Sequence, residues 1–482
     1  MTHNKQGNGM APESSRAQTV ARQLANWALT LELRDVDAAV QERVKLHILD
    51  QIGAQVSCCR LPAPRIAQAY ATRFGAPGTA SILGTPIQAD AECAAFANAT
   101  AGSSFEIDDY GGNGAYAHPG CVVVPGGLAV AEASGASGAS LLRAAIVGFE
   151  TIIRLALATM PSMLLERGFH QTGSHGVFAV ALATAMLEQA DLDTAVNALG
   201  IAGSHASGTT EYSQSGGEVK RAHAGIGAAG GIRSARLARL GLSGPPTIFE
   251  GKRGFLQAFC NAHDPRFLHE ALGSHWHFPE RGALKPHASC ALIHHHFAAF
   301  DKLRGEHAIA PDDIEQVVLG CEPLTVVHTG ATGPRPTDIV GAQFSAEYGI
   351  AMRIVHGRND VGAYLDAEAG NFQDPAVAAI AARVRLEVDP ECATQIPKGK
   401  VTLHMRDGKL LSATAYALGS PFNPLSRSDI EEKYIDLVAR NFGGDIARTS
   451  LGLLMNLEQV ADVRQITRLF ARPAGTTAQA AS

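Results

Sequence analysis

Apolar residues recur every four positions through the segment VDAAVQERVKLHILDQIGAQVSCC, at Val40, Val44, Ile48, Ile52 and Val56, with Leu49 beside them. That spacing predicts a helix with one apolar stripe, and Lys45 falls outside the stripe. The pattern repeats in LLRAAIVGFETIIRLALA through Leu142, Ile146, Phe149 and Ile153, and another helix is expected through HGVFAVALATAMLEQ. Asp193 is placed to cap the next one, TAVNALGIAGSHASG. These segments are rich in Ala and Gly and poor in charge. A helix apolar on most sides is normally buried, so residues 18–278 predict a large, tightly packed, all-helical domain.

The texture then changes. IEQVVLGCEPLTVV, ARVRLEVDP and GKVTLHMRDGKLLSATAYAL show short alternating runs typical of strands, and the Asp-Gly pair at 407–408 marks a hairpin turn. Helical stretches such as GAQFSAEYGIAMRIVHG lie between them, so residues 279–411 predict a smaller α+β domain. Residues 412–470 return to helix, with Ser428 as N-cap and Glu431 three residues on, and complete the helical domain. The expected fold is therefore mainly α: an all-helical body of N-terminal and C-terminal helices with an inserted α+β lid. The ends, 1–17 and 471–482, read as disordered tails.

Composition narrows the class. The 482 residues are 46% hydrophobic and 18% charged, which excludes wholesale disorder. A net charge of −6 lacks the basic excess of a nucleic-acid binder. The eight cysteines form no C-x-x-C, so zinc-ribbon and iron–sulfur spacings are missing. The polar N-terminal stretch does not read as a secretory signal, and no uncharged apolar run reaches the roughly 18 residues a spanning helix needs. A cytoplasmic protein with reduced thiols and no membrane partner is expected.

Two motifs invite misreading. Gly225-Ile226-Gly227-Ala228-Ala229-Gly230 matches G-x-G-x-x-G, with Glu250 at about the distance of a ribose contact. A dinucleotide site needs a buried strand before the glycines, whereas Glu218 to His223 are too polar for one, which leaves close helix packing. His294-His295-His296 cannot all ligate one ion, because consecutive helical residues point about 100° apart. His287, Cys290 and His294, at i, i+3 and i+7, would share a helical face as a zinc site or a cleft lining, but no acidic fourth ligand lies near.

Four clusters combine titratable groups with Gly or Pro. The first runs from Phe105 to Gly120, with Glu106, Asp108, Asp109 and Tyr110 beside a glycine-rich loop that ends in His118-Pro119. The second is Arg167 to Gly173, with His170 at the start of a nearly uncharged helix. The third is Gly216 to Gly225, where Lys220, Arg221 and His223 enter a Gly/Ala-rich helix. The fourth is Gly282 to Cys290, where Lys285 falls at the change of domain, a common place for pockets. Each also has a structural reading: an acidic helix end, a capping His, a Glu218-paired cation, a solvated Lys. Taken together they supply His for proton transfer and Lys for carboxylates, with no cofactor motif. Such a set suits proton abstraction beside a carboxylate.

At these clusters the chain resembles the MmgE/PrpD family, which includes 2-methylcitrate dehydratase, cis-aconitate decarboxylase and iminodisuccinate epimerase. The matching stretches are LDQIGAQVSC, FEIDDY, HPGCVVVPGGLAVAE, IVGFE, GFHQTG, ALGIAGSHASG, GGEVKRAHAG and LKPHASCALIH. The resemblance implies a helical domain with an α+β lid, a homodimer, and a site between the two domains that uses neither metal nor other cofactor. By motif match it implies catalytic roles for Glu106, Tyr110, His118, His170, Lys220 and Lys285. Lys220 and Lys285 would also bind substrate, as would Tyr348 on the lid. The implied activity is that of a lyase, dehydratase or decarboxylase, on a small di- or tricarboxylate, with an epimerase as the alternative and a non-catalytic binding protein as a third reading. The loop Gly114 to Val122 differs from the A-E-W-G-H-P-S-D-N type of the methylcitrate dehydratases and stands closer to the decarboxylase and epimerase branch.

Overall fold

A computed structural model describes residues 19–112, 114–394 and 396–472. The expected tail 1–17, and all of 471–482 but its first two residues, lie outside the described residues. The architecture is mainly helical, with a small mixed sheet set into a lid.

The helical body is built around Val219–Arg239, which packs against Gln171–Leu187, Ala91–Gly102 and Leu192–Ala202. The G-x-G-x-x-G motif lies inside this helix. A Cβ on Gly227 would stand 2.8 Å from the Gly173 carbonyl oxygen, and one on Gly225 would stand 2.6 Å from that of Phe96. These glycines let two helices touch backbone to backbone, and the element immediately before them is the short helix Tyr212–Ser215, not a strand. The stripe from Val40 to Val56 lies on helix Ala38–Cys58, which is buried on nearly every side. Lys45 is therefore not on a solvent face. Only 9% of it is exposed, and its Nζ reaches the Met455 carbonyl at 3.2 Å, because the C-terminal helices cover that side.

Two caps differ from expectation by two residues. Asp191, not Asp193, accepts the N–H of Thr194, and Asp193 instead pairs with Arg22 at 2.7 Å. The capping box of Arg427–Phe442 is Ser426 with Asp429, not Ser428 with Glu431. In both cases the cap is the same residue type two positions earlier.

The lid sheet has the order Val384–Val388, Ile314–Cys321, Gly399–Met405, Leu410–Ala415, with the first pair parallel and the rest antiparallel. The hairpin turns at Arg406–Lys409, around Asp407-Gly408. The run IEQVVLGCEPLTVV is not all strand: it ends at Cys321, and Pro323 opens a helix to Thr329. Helix Ala291–Glu306 covers the hairpin, and Phe297, Phe300, Leu319, Ile350 and Leu403 form a separate apolar core. After the lid the chain returns to the body. Ile430, Tyr434, Val438, Leu454 and Phe470 join the core of the N-terminal helices. All eight cysteines are free, and among the described residues no helix is long and apolar enough to cross a membrane.

Candidate active site

A cavity of about 290 Å³ lies where body and lid meet, and Glu106, Tyr110, His118, His170, Lys220 and Lys285 all line it. Residues far apart in sequence are brought there by backbone ties. Tyr110 and Gly111 pair as a short antiparallel strand with Ala283 and Gly282, which joins the first cluster to the segment carrying Lys285. Lys433, on the C-terminal helix, clamps the same junction. Its Nζ donates to Asp50 Oδ1 at 2.6 Å, to the Lys285 carbonyl at 2.7 Å and to the Ile107 carbonyl at 3.0 Å. The His170 N–H donates to the Gly208 carbonyl at 2.9 Å, which fixes the start of helix Gln171–Leu187.

His118 sits just before helix Gly120–Ser134. Its main-chain N–H donates to Thr172 Oγ1 at 3.1 Å. Its Nδ1 lies 2.7 Å from the Asp109 carbonyl oxygen and 3.1 Å from Asp108 Oδ2. A carbonyl can only accept, so Nδ1 carries a proton and donates it there. Burial alone would raise Asp108, but His118 and Lys285 hold its carboxyl far below the usual range. Asp109 turns the other way. It accepts from the Gly120 N–H at 2.8 Å and meets His47 Nδ1 at 2.9 Å, and burial with the neighbouring Asp108 pushes it up to about 7.

Two lysines share one carboxylate. Glu106 Oε1 pairs with Lys220 Nζ, and Oε2 lies 3.1 Å from Lys285 Nζ, which is also 3.5 Å from Asp108 Oδ1. Burial raises Glu106, but the two ammonium groups outweigh it and bring it down to about 2. Lys285 is fully buried, and although burial lowers it, Glu106 and Asp108 hold it above the usual lysine range. Glu106 has φ of +53°, a left-handed backbone that non-glycine residues seldom adopt. Such a conformation persists when surrounding contacts over-determine it, as the two lysines do here.

His170 is kept neutral, its pKa well below the usual value, by burial first and then by Lys220 and His118. Its Nδ1 lies 3.0 Å from Nδ1 of His223, so one ring donates and the other accepts. Tyr212 packs edge-on against both rings, at 5.9 and 5.8 Å between centroids. Burial pushes the Tyr110 phenol up to about 12, so it is a hydrogen-bonding group and not a charge.

Several lining or supporting residues escape sequence reasoning. Asp108 was visible as one of three carboxylates, but only the fold turns it toward His118. Tyr212 and His328 line the cavity without any local motif, and Cys290, the last residue of the fourth cluster, lines it too. Tyr348 does not reach it: this residue is buried in the lid, edge-on to Phe372, and lines a different cavity with Met352, Arg358 and Asp374. The helical face proposed for His287, Cys290 and His294 does not form either, because the helix begins at Ala291 and the first two precede it. His294 instead bonds Ser289, and among the described residues the grouping with metal-ligand spacing is His275, His277 and Glu280, none of which lines the cavity.

Comparison with known proteins agrees with this arrangement. The MmgE/PrpD N-terminal domain matches residues 22–268, and the MmgE/PrpD C-terminal domain matches 287–459. The chain is 28% identical to a cis-aconitate decarboxylase of Aspergillus terreus, over 96% of this chain and 98% of that protein. It is 27% identical to the cis-aconitate decarboxylase-like protein oryM of Aspergillus oryzae, over 95% and 98%. It is 26% identical to a cis-aconitate decarboxylase of Homo sapiens, over 90% and 91%. With both domains matched across most of its length, the chain belongs to the MmgE/PrpD family and is an enzyme of that family's carboxylic-acid lyase type.

Proposed function

We propose that the protein is a metal- and cofactor-independent lyase that acts on a small di- or tricarboxylate by proton transfer next to a carboxylate. The observation that carries this reading is the convergence of a base, His118, with two cations, Lys220 and Lys285, in one cavity. The lysines hold the substrate carboxylate, with Glu106 and Tyr110 orienting it. His118 Nε2 takes the adjacent C–H proton, and the electron pair spreads onto the carboxylate oxygens, where the ammonium groups stabilise it. In dehydration that pair then forms the C=C bond as the C–O bond breaks, and the hydroxide takes the proton held by the imidazolium and leaves as water. In decarboxylation no C–H proton is taken first: the C–C bond to a carboxylate breaks, CO₂ leaves, and the pair left on carbon takes the proton of a His118 imidazolium that was charged before the step. Asp108 stabilises the imidazolium formed in the first case and required in the second.

A second reading has its own observation. His118 and His170 face the same cavity with ring centroids 6.2 Å apart, an arrangement open to a two-base epimerase of a small dicarboxylate. Incubation in D₂O with citrate, 2-methylcitrate, cis-aconitate and iminodisuccinate separates the two. The lyase reading expects an alkene or CO₂ as product. Deuterium in recovered substrate or its epimer, with neither alkene nor CO₂, overturns it in favour of epimerisation. The family resemblance also supports a cytoplasmic homodimer, which light scattering on the purified protein and fractionation of cells test.

A further inference from the structure

Outside the cavity, His275, His277 and Glu280 each offer a ligand atom, and these atoms all lie within 4.8 Å of one another. The local sequence His275-Trp276-His277-Phe278-Pro279-Glu280 accounts for the convergence. Trp276 has extended backbone, with φ −110° and ψ 108°, so the imidazoles on either side of it leave the chain in the same direction. Trp276 and Phe278 alternate with them and join the helical core. Glu280 follows His277 by three residues on the helix His277–Arg281, a spacing that places both on one helical face.

The backbone beneath these side chains is fastened to a buried ion pair. Glu150 and Arg154 meet at 2.7 Å, both shut off from solvent. Arg154 Nη2 donates to the His275 carbonyl at 2.8 Å, and the two oxygens of Glu150 accept the N–H groups of His277 at 3.0 Å and Phe278 at 2.8 Å. A segment held in this way loses little further freedom when it takes up a ligand.

The donor chemistry is that of a transition-metal site. Two imidazoles and a carboxylate form the protein set of open zinc sites, in which water fills the fourth position. His275 Nε2 and Glu280 Oε1 stand 3.6 Å apart, close to the ~3.3 Å between neighbouring ligands of a tetrahedral ion with bonds of ~2.0–2.1 Å. The two imidazole rings meet edge-on at 4.5 Å between centroids. Burial, then Arg154, His275 and Arg281, push His277 down to about 4, so its ring is neutral at pH 7, the form that ligates a metal. Its Nδ1 is shielded from water and has no hydrogen-bond partner, which in a folded protein calls for an explanation such as a bound ion. The side chains of His275 and Glu280 are 47% and 49% exposed, so an ion reaches them from solution.

We infer that His275, His277 and Glu280 form a zinc(II) site on the helical body, with water completing the tetrahedron. None of the three lines the cavity, so the ion takes no part in the proton transfer proposed there.

The test is equilibrium dialysis of zinc against the untagged, EDTA-stripped full chain at pH 7, beside His275→Ala, Glu280→Gln and His307→Ala. His307 is an exposed histidine outside the group and serves as the control. All three variants replace exposed side chains, and circular dichroism checks that each keeps its fold. Wild type and H307A are expected to bind one zinc per chain with the same affinity. H275A and E280Q should each weaken it at least about tenfold, no less than is lost with an outer partner of a metal ligand. An excess of magnesium should leave zinc binding unchanged, because that ion prefers an all-oxygen shell. If wild type binds no zinc, if either H275A or E280Q binds it as wild type does, or if magnesium displaces it, the inference is overturned and the three residues are a surface ion pair only.

Discussion

Nδ1 of His118 stands 3.1 Å from Oδ2 of Asp108, a carboxylate held far below its usual pKa range although buried. In the proposed mechanism the pair orients the imidazole and stabilises the imidazolium once a proton arrives. Asp108→Asn should keep the shape and lose the charge. The expected result is a fall in kcat on the order of 100-fold with KM changed far less, read from steady-state kinetics.

Glu106 occupies both lysines in the ligand-free site. Glu106→Gln removes one negative charge and leaves the lysines with a net surplus. Binding of cis-aconitate should tighten by about tenfold, equivalent to ~1.4 kcal/mol, while turnover falls because the substrate is no longer oriented. Calorimetry and kinetics on the same preparation check both halves.

Lys433 joins the C-terminal helix to the floor of the site through Asp50, Ile107 and Lys285. Asp50 is buried, and burial raises its pKa against the opposing pull of Lys433. Lys433→Met leaves that carboxylate without its cation and should cost about 3–5 kcal/mol in denaturant unfolding. Lys433→Met combined with Asp50→Asn should recover part of that loss, since no buried charge is left unpaired.

Many imidazoles are buried and held neutral. His170 and His294 lie well below the usual value, and His175 and His287 are pushed down to about 3, each chiefly by burial. The sign follows from proton uptake. Below pH about 6.5 the unfolded chain binds protons that the folded imidazoles refuse, so stability falls as pH drops, by about 1.4 kcal/mol per pH unit for each such group. Asp109, raised to about 7, acts in the opposite sense between its unfolded value and 7, as do the raised carboxyls of Asp50, Glu150, Glu250, Glu322 and Glu347, but the lowered imidazoles, which also include His47, His277, His295 and His296, outnumber them. The melting temperature should therefore fall steadily from pH 7 to pH 5.

Much of this was legible in the chain. The stripe from Val40 to Val56, the Asp407-Gly408 turn and the four titratable clusters each rest on local spacing, and local spacing survives folding. What the sequence could not show is set by contacts across long separations. Glu106 attracted attention over Asp108 although both lie in one cluster, because only the paired strand with Gly282 and Ala283 decides which carboxylate meets His118. Lys433 sits in an ordinary charged helix, and nothing near it signals that it reaches the main chain of Lys285. Tyr348 lies on a lid helix whose rotation turns it into the lid core and away from the lysines. The lid helix that begins at Ala291 also shows why helical spacing misplaced His287 and Cys290: a period cannot reveal where a helix starts without its cap.

In the proposed reaction the imidazole of His118, with no metal or other cofactor, moves the proton beside the carboxylate. The most direct measurement is the turnover of the best acid from the panel by wild-type protein and by His118→Gln, both exhaustively treated with EDTA. The treated wild type should keep its rate, and H118Q should lose about 100-fold or more in kcat while still binding the acid. Full activity in H118Q, or loss of wild-type activity with EDTA and its return with zinc, would contradict it.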